Sequence, residues 1–349
     1  MNNKFKFSLL LLAVASVSSA VVLKMNKSEI RFSEKNELKR ETENEKEEIA
    51  GAANWWNKMR ANQITNTIEL SDIVQARKDA DLNLVSGDRA LSLNWEEMGP
   101  DNVGGRTRAI LFDKANPNHV FAGGVSGGLW ESNNLGQSWN QTVTYDDKSI
   151  WNIQNISAIA QADNGDIYVG TGEYFGFFET TVVSGATGFP GDGIWKSSDH
   201  GATWSHVKSI STGTFNPTPS NAWSFVTNMA SGGATHPTRV YASIKGGGSI
   251  SGVQYSDNGT TWTNCTNSTG SALTGLGADV EVSSNGTVHA VVGNKYYHSD
   301  PNSSDPSTKL ISTGITGLPS ATSINRMGVA VAPSNPNYVY VIASYSSST

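Results

Sequence analysis

The chain has 349 residues, 37% of them hydrophobic, which is enough for one large packed domain or two ordinary ones. Its net charge of −6, with no basic stripe to follow a phosphate backbone, argues against nucleic acid as a partner. A single cysteine, Cys265, rules out an intrachain disulfide, no Cys/His spacing builds a zinc site, and neither a metal nor another cofactor is expected.

The chain opens with Lys4 and Lys6, an apolar run from Ser8 to Val17, and the small residues Ser18, Ser19 and Ala20. That order predicts a secretory signal peptide over residues 1–20, too short to span a membrane, and an exported or surface-held product. Residues 21–91 read as a leader, dense in charge of both signs from Lys24 to Glu48. Within it, the helical spacing of Trp55, Trp56 and Met59, and Ser71 as an N-cap before Ile73, Val74 and Ala76, predict two short helices.

From Ser92 to the C-terminus the pattern becomes strand, turn, strand. Strands are predicted at Arg108–Phe112, His119–Gly123, Leu129–Ser132 and Ser138–Thr142, and four such strands make one propeller blade. First and second strands recur at 156–162 with 166–170, 225–229 with 239–244, 280–283 with 287–292, and 327–331 with 338–343. Val120, Ile167, Val240, Val288 and Val339 mark the second strands at intervals of 47, 73, 48 and 51 residues. The expected fold is all-β, a β-propeller over 92–349 with four full four-stranded antiparallel blades and a partial fifth, incomplete at its C-terminal end. Trp95, ahead of the first blade, is expected to belong to the last blade and close the ring.

A turn motif repeats between third and fourth strands. Ser197, Asp199, Gly201 and Trp204 form a Ser-x-Asp-x-Gly-x-x-Trp octet, and Ser132, Asn134, Gly136 and Trp139 repeat it with Asn as the acceptor. A third copy is assigned to Asp257, Gly259 and Trp262, with Tyr255 where the others carry Ser; the fourth blade has lost it. Asp or Asn accepts turn amides, Gly takes positive φ, and Trp packs under the turn, so these residues are read as structural. The repeat resembles the Asp-box, or BNR, motif of secreted β-propellers, a superfamily of sortilin-like receptors, xyloglucanase-type glycosidases and sialidases. Lys58 to Gln63, Trp95 to Arg106 and the run Ala122 to Trp139 resemble propeller proteins of bacteria that use type IX secretion. That resemblance implies export and extracellular or cell-surface work on protein or glycan.

If the Asp-box turns occupy one face, the opposite face collects 99–106, 123–128, 145–155, 171–192 and 209–222, where function belongs. The candidate ligand contacts there are Arg106, Trp151, Tyr174, Phe175, Phe177 and Trp223. The resemblance also keeps glycoside hydrolysis as an alternative, which requires two carboxylates across the scissile bond; Glu173 with Asp192 or Asp101 is the candidate pair. Two departures weigh against it. The arginines after Leu91 are Arg106, Arg108, Arg239 and Arg326, few for a sialidase-type carboxylate site, and Val125 stands where xyloglucanase-type propellers carry a catalytic Asp before Gly127-Gly128.

Overall fold

The computed structural model describes residues 105–142, 155–174, 191–208, 222–245, 251–312 and 324–345, with scattered positions between 55 and 79. Two compact units are distinguished, Met1–Arg60 and Ala61–Thr349. In the first, Trp55 and Met59 are helical, as is Lys58, while Trp56, the third residue of the expected spacing, lies outside the described residues. The signal segment, most of the leader, and Trp95 lie outside the described residues.

The second unit is built from antiparallel sheets in simple meander order. The first blade is β1 (Thr107–Phe112), β2 (Val120–Gly124), β3 (Gly128–Ser132) and β4 (Asn140–Gln141). The second is β5 (Ile156–Gln161), β6 (Ile167–Thr171), β7 (Ile194–Ser197) and β8 (Ser205–Lys208). The third is β9 (Val226–Ser231), β10 (Val240–Ile244), β11 (Gly252–Ser256) and β12 (Thr263–Asn264), and the fourth β13 (Gly277–Val282), β14 (Val288–Val292), β15 (Lys295–Ser299) and β16 (Leu310–Ile311). A fifth sheet holds β17 (Ile324–Val331) and β18 (Val339–Tyr345).

Inner strands pack in series, β1 on β5, β5 on β9, β9 on β13 and β13 on β17, which is the arrangement of propeller blades around an axis. Four apolar clusters fill the spaces between successive blades. The second strands explain how: β6, β10 and β14 are buried at every residue because a blade covers each of their faces. They accordingly read as near-continuous apolar runs rather than alternating ones. β1 and β18 differ, since Ile110, Phe112, Tyr340 and Ile342 are exposed.

The turn motif forms a hydrogen-bonded knot in three blades. In the second, Gly201 N–H donates to Ser197 Oγ at 2.8 Å, Ser197 Oγ donates to Asp199 Oδ1 at 2.8 Å, and Thr203 N–H donates to the same oxygen at 2.8 Å. Trp204 Nε1 then donates to the Gly201 carbonyl at 3.0 Å. The first blade repeats each of these backbone bonds through Ser132, Asn134, Gly136 and Trp139.

The third knot corrects the expected assignment. Ser256, not Tyr255, supplies the hydroxyl to Gly259 N–H at 2.8 Å, and Asn258, not Asp257, accepts from Thr260 and Thr261 N–H at 2.9 and 2.8 Å. This turn is one residue shorter, dispensing with the left-handed residue that precedes Gly in the others, Leu135 at φ 56° and His200 at φ 58°. Asp257 instead takes both its carboxylate oxygens to Arg239, at 2.7 and 2.9 Å.

The knot also fastens blade to blade. A Cβ on Gly201 would sit 2.5 Å from Phe121 Cζ, and one on Gly259 would sit 2.7 Å from Tyr168 Cε1. Each ring comes from the second strand of the preceding blade, so no side chain other than hydrogen fits at the turn.

Ser197→Ala removes the acceptor of a buried N–H and should cost about 1–3 kcal/mol in denaturant unfolding, whereas exposed Ser268→Ala should stay within about 0.5 kcal/mol. Equal effects would show that the knot holds nothing. The Arg239 pair, followed by weaker charges, holds Asp257 below the ordinary carboxylate range. A depressed carboxylate stabilises above its unfolded pKa and loses that contribution as pH falls through the folded one. Asp257→Asn should therefore be less stable than the parent at pH 7, with the gap closing in acid; a gap independent of pH would refute this.

Candidate functional site

Every blade carries a register shift near the start of its inner strand, across residues 107/109, 156/158, 226/228, 277/279 and 324/326. Such a bulge re-aims the extra side chain, and bulges gather beside sites for that reason. The intervening residues Arg108, Ser157, Thr227 and Ala278 line one cavity of about 190 Å³ at the convergence of the inner strands. Asn228, Asp279, Glu281, Arg326, Met327 and Gly328 complete it.

Two of those bulge residues tie blades together. Ser157 Oγ donates to the Val226 carbonyl of the next inner strand, and Thr227 Oγ1 donates to the Gly277 carbonyl of the one after, at 3.1 Å. At the corresponding position of the first blade stands the charged Arg108. Its Nε lies 3.1 Å from Glu173 Oε2, and Arg106 Nη2 lies 3.7 Å from the same oxygen. Glu173 itself is 2% exposed.

Opposite, Asp279 and Glu281 are two residues apart on β13 and therefore share a face. Asp279 is held on both oxygens: Val329 N–H donates to Oδ2 at 2.8 Å, Val280 N–H to Oδ1 at 3.0 Å, and the Asn228 amide also to Oδ1. It thus joins β9, β13 and β17. Burial nonetheless lifts it above the ordinary carboxylate range. Glu281 is lifted further, to about 7, first by burial and then by the Asp279 charge. No basic side chain among the described residues forms an ion pair with it.

The expected site residues separate into several places. Arg106 is exposed, and Glu173 faces it and Arg108. Asp192 is buried, with its Oδ1 3.7 Å from His206 Nε2 while the His206 ring stacks on Trp195 at 4.2 Å. Tyr174 packs edge-on to Phe225 at 5.2 Å with Lys245 Nζ 4.0 Å from its ring. Trp223 is 3% exposed and packs on Trp262, part of the core between the second and third blades. Asp101, Trp151, Phe175 and Phe177 lie outside the described residues. Sequence reasoning missed Glu281, Asn228 and the use of Arg108 and Arg326; mid-strand polar residues breaking an apolar pattern were the available signal. Arg239 sits apart on Asp257, while Arg108 and Arg326 line one cavity.

Stacked four-stranded sheets about an axis, with a polar cavity where their inner strands meet, define a β-propeller with an axial site. No protein-family model matches the chain, and neither does any curated protein sequence. Among solved structures it is similar to an ancestral GH74 enzyme, at 17% identity over 72% of this chain and 29% of that one, TM-score 0.47. It is also similar to the Niastella koreensis GH74 enzyme, at 15% identity, 67% and 33% coverage, TM-score 0.45. A third is PorZ, a surface component of the type-IX secretion system of Porphyromonas gingivalis, at 16%, 67% and 31%, TM-score 0.42. The chain spans about a third of the length of these structures. The fold assignment rests on the sheets and their stacking.

A carboxyl whose folded pKa is raised, from 4.5 to about 7, stabilises fully below the lower value and loses that contribution as pH rises through the upper one. Glu281→Gln should therefore be more stable than the parent at pH 8, by at most about 3 kcal/mol, and equal to it at pH 4. In carboxyl-resolved NMR titration Glu281 should show a midpoint near 7, moving down in Asp279→Asn. An unmoved midpoint would remove the coupling between the two.

Proposed function

We propose that this protein is an extracellular β-propeller that binds protein or glycan, with the axial cavity on the loop-rich face as the seat of recognition. Export is inferred from the first twenty residues, and among the described residues no helix is long and apolar enough to cross a membrane. One observation carries the binding reading: Asp279, one of the two carboxylates lining the cavity, is already bonded within the fold, and so are Glu173 and Asp192 outside that lining. Asp279 accepts three N–H donors, Glu173 faces two arginines, and Asp192 lies beside His206. Hydrolysis of a glycosidic bond needs a second carboxylate free to act as nucleophile or base.

Glycoside hydrolysis remains the second reading because Glu281, pushed up to about 7, has the protonation a general acid needs. The full chain should be tested for binding and turnover on a panel of polysaccharides, sialosides and proteins beside Arg326→Gln and Glu281→Gln. Binding without turnover, weakened at least tenfold by Arg326→Gln, is expected. Turnover that disappears in a folded Glu281→Gln variant would replace the binding reading with hydrolysis.

A further inference from the structure

We propose that the axial cavity takes one neutral polyhydroxylated unit, a single pyranose ring, whose hydroxyls meet oxygen acceptors on one wall and guanidiniums on the other. The inference deepens the binding reading above and rests on it.

On the second, third and fourth blades the side-chain hydrogens at the cavity are spent within the fold. A hydroxyl has one hydrogen to give. Ser157 Oγ lies on the Val226 and Gly170 carbonyls, and Thr227 Oγ1 on those of Gly277 and Ser243, so both face the cavity as acceptors. Asn228 gives its amide hydrogens to Asp279 and, at 3.4 Å, to the Val280 carbonyl. Asp279 accepts three N–H bonds, which leaves about one of a carboxylate's roughly four acceptor sites. Glu281 adds a carboxyl, a group that accepts whether or not it is protonated. The first and fifth blades present the opposite, since Arg108 and Arg326 carry hydrogens and no lone pair. Both are also engaged within the fold, Arg108 with Glu173, but the five N–H groups of a guanidinium serve more than one partner.

A ligand for these two walls must bring hydrogens to one and lone pairs to the other, and a hydroxyl does both on a single atom. Charge of either sign is disfavoured: a cation meets Arg108 and Arg326, and an anion meets Asp279 and Glu281. Size limits the ligand to one unit, because about 190 Å³ lies below the roughly 300 Å³ lower bound of drug-sized pockets. Ala278 and Met327 give apolar contact to the C–H face of a sugar ring, in place of the aromatic side chain that the described lining lacks.

Calorimetric titrations of the full chain with the methyl glycosides of glucose, galactose and mannose test this, each beside its uronate and its 2-amino sugar, with cyclohexanol as a ring bearing one hydroxyl. At least one neutral glycoside should bind, and its charged counterparts and cyclohexanol should bind about tenfold or more weakly. Glu281→Gln, which replaces an acceptor oxygen by a donor, and Arg326→Gln should each weaken that glycoside about tenfold or more in protein shown folded by circular dichroism, and Ser268→Ala should leave it unchanged. Cellobiose, lactose or mannobiose bound as well as the preferred glycoside would place the unit at the end of a glycan, and their exclusion would make it a free sugar; either result keeps the inference. A uronate or amino sugar bound as tightly as the neutral glycoside, or a glycoside indifferent to both variants, overturns it while leaving the binding reading. No glycoside bound, beside polysaccharide or protein binding that Arg326→Gln weakens, does the same, and no binding of either kind overturns both.

Discussion

Blade stacking in this fold depends on the seating of a turn glycine on an aromatic ring of the preceding blade. Gly201 lies on Phe121 and Gly259 on Tyr168, at distances that leave no room for a Cβ. A sheet with two apolar faces is stable only when both are covered, and the knot does this at the rim while the apolar clusters do it along the blade. The ring that receives the knot follows the first apolar residue of each second strand, in Val120-Phe121, Ile167-Tyr168 and Val240-Tyr241. Tyr241 meets no knot. Its hydroxyl donates to the Ser307 carbonyl at 2.8 Å, so a ten-residue loop of the fourth blade replaces the lost motif. Tyr340 holds the same position in the fifth sheet and is 64% exposed.

Stacking of this kind has a consequence at the other end of the sheets. Inner strands forced together around an axis cannot keep a regular ladder, and each takes one extra residue where they converge. In the second and third blades that residue is a hydroxyl that bonds the next strand; in the first it is Arg108. The scaffold thus offers the same aimed position in blade after blade, and in the first blade its charged side chain reaches Glu173, just beyond β6 of the second. Asp279 ties the third, fourth and fifth blades through its bonds to Asn228 and Val329.

Burying Asp279 beside Glu281 makes the cavity sensitive to protons. Two carboxylates in a partly dry site do not both ionise easily, and the one with fewer donors yields. Asp279 has three N–H bonds and keeps the lower proton affinity; Glu281 is left to titrate near 7. The asymmetry comes from the donors around Asp279: the Val329 amide of β17, the Asn228 side chain of β9 and the Val280 amide of its own strand.

By itself the sequence determined the strands, the blade period and the glycine and tryptophan of each knot. These depend on local rules: alternation, turn chemistry, and a residue that must adopt positive φ. It misassigned the third acceptor, because deleting one residue from the turn leaves Asp257 in the motif's place while Asn258 takes its bonds. It also weighed Arg106, Arg108, Arg239 and Arg326 as too few for a sialidase-type site and passed over Glu281. Only the tertiary structure decided that Arg108, Glu281 and Arg326 meet, because polar breaks in separate strands do not show which strands converge, and β1, β13 and β17 become neighbours only around the axis. Local chemistry wrote the blades; the site exists only where they converge.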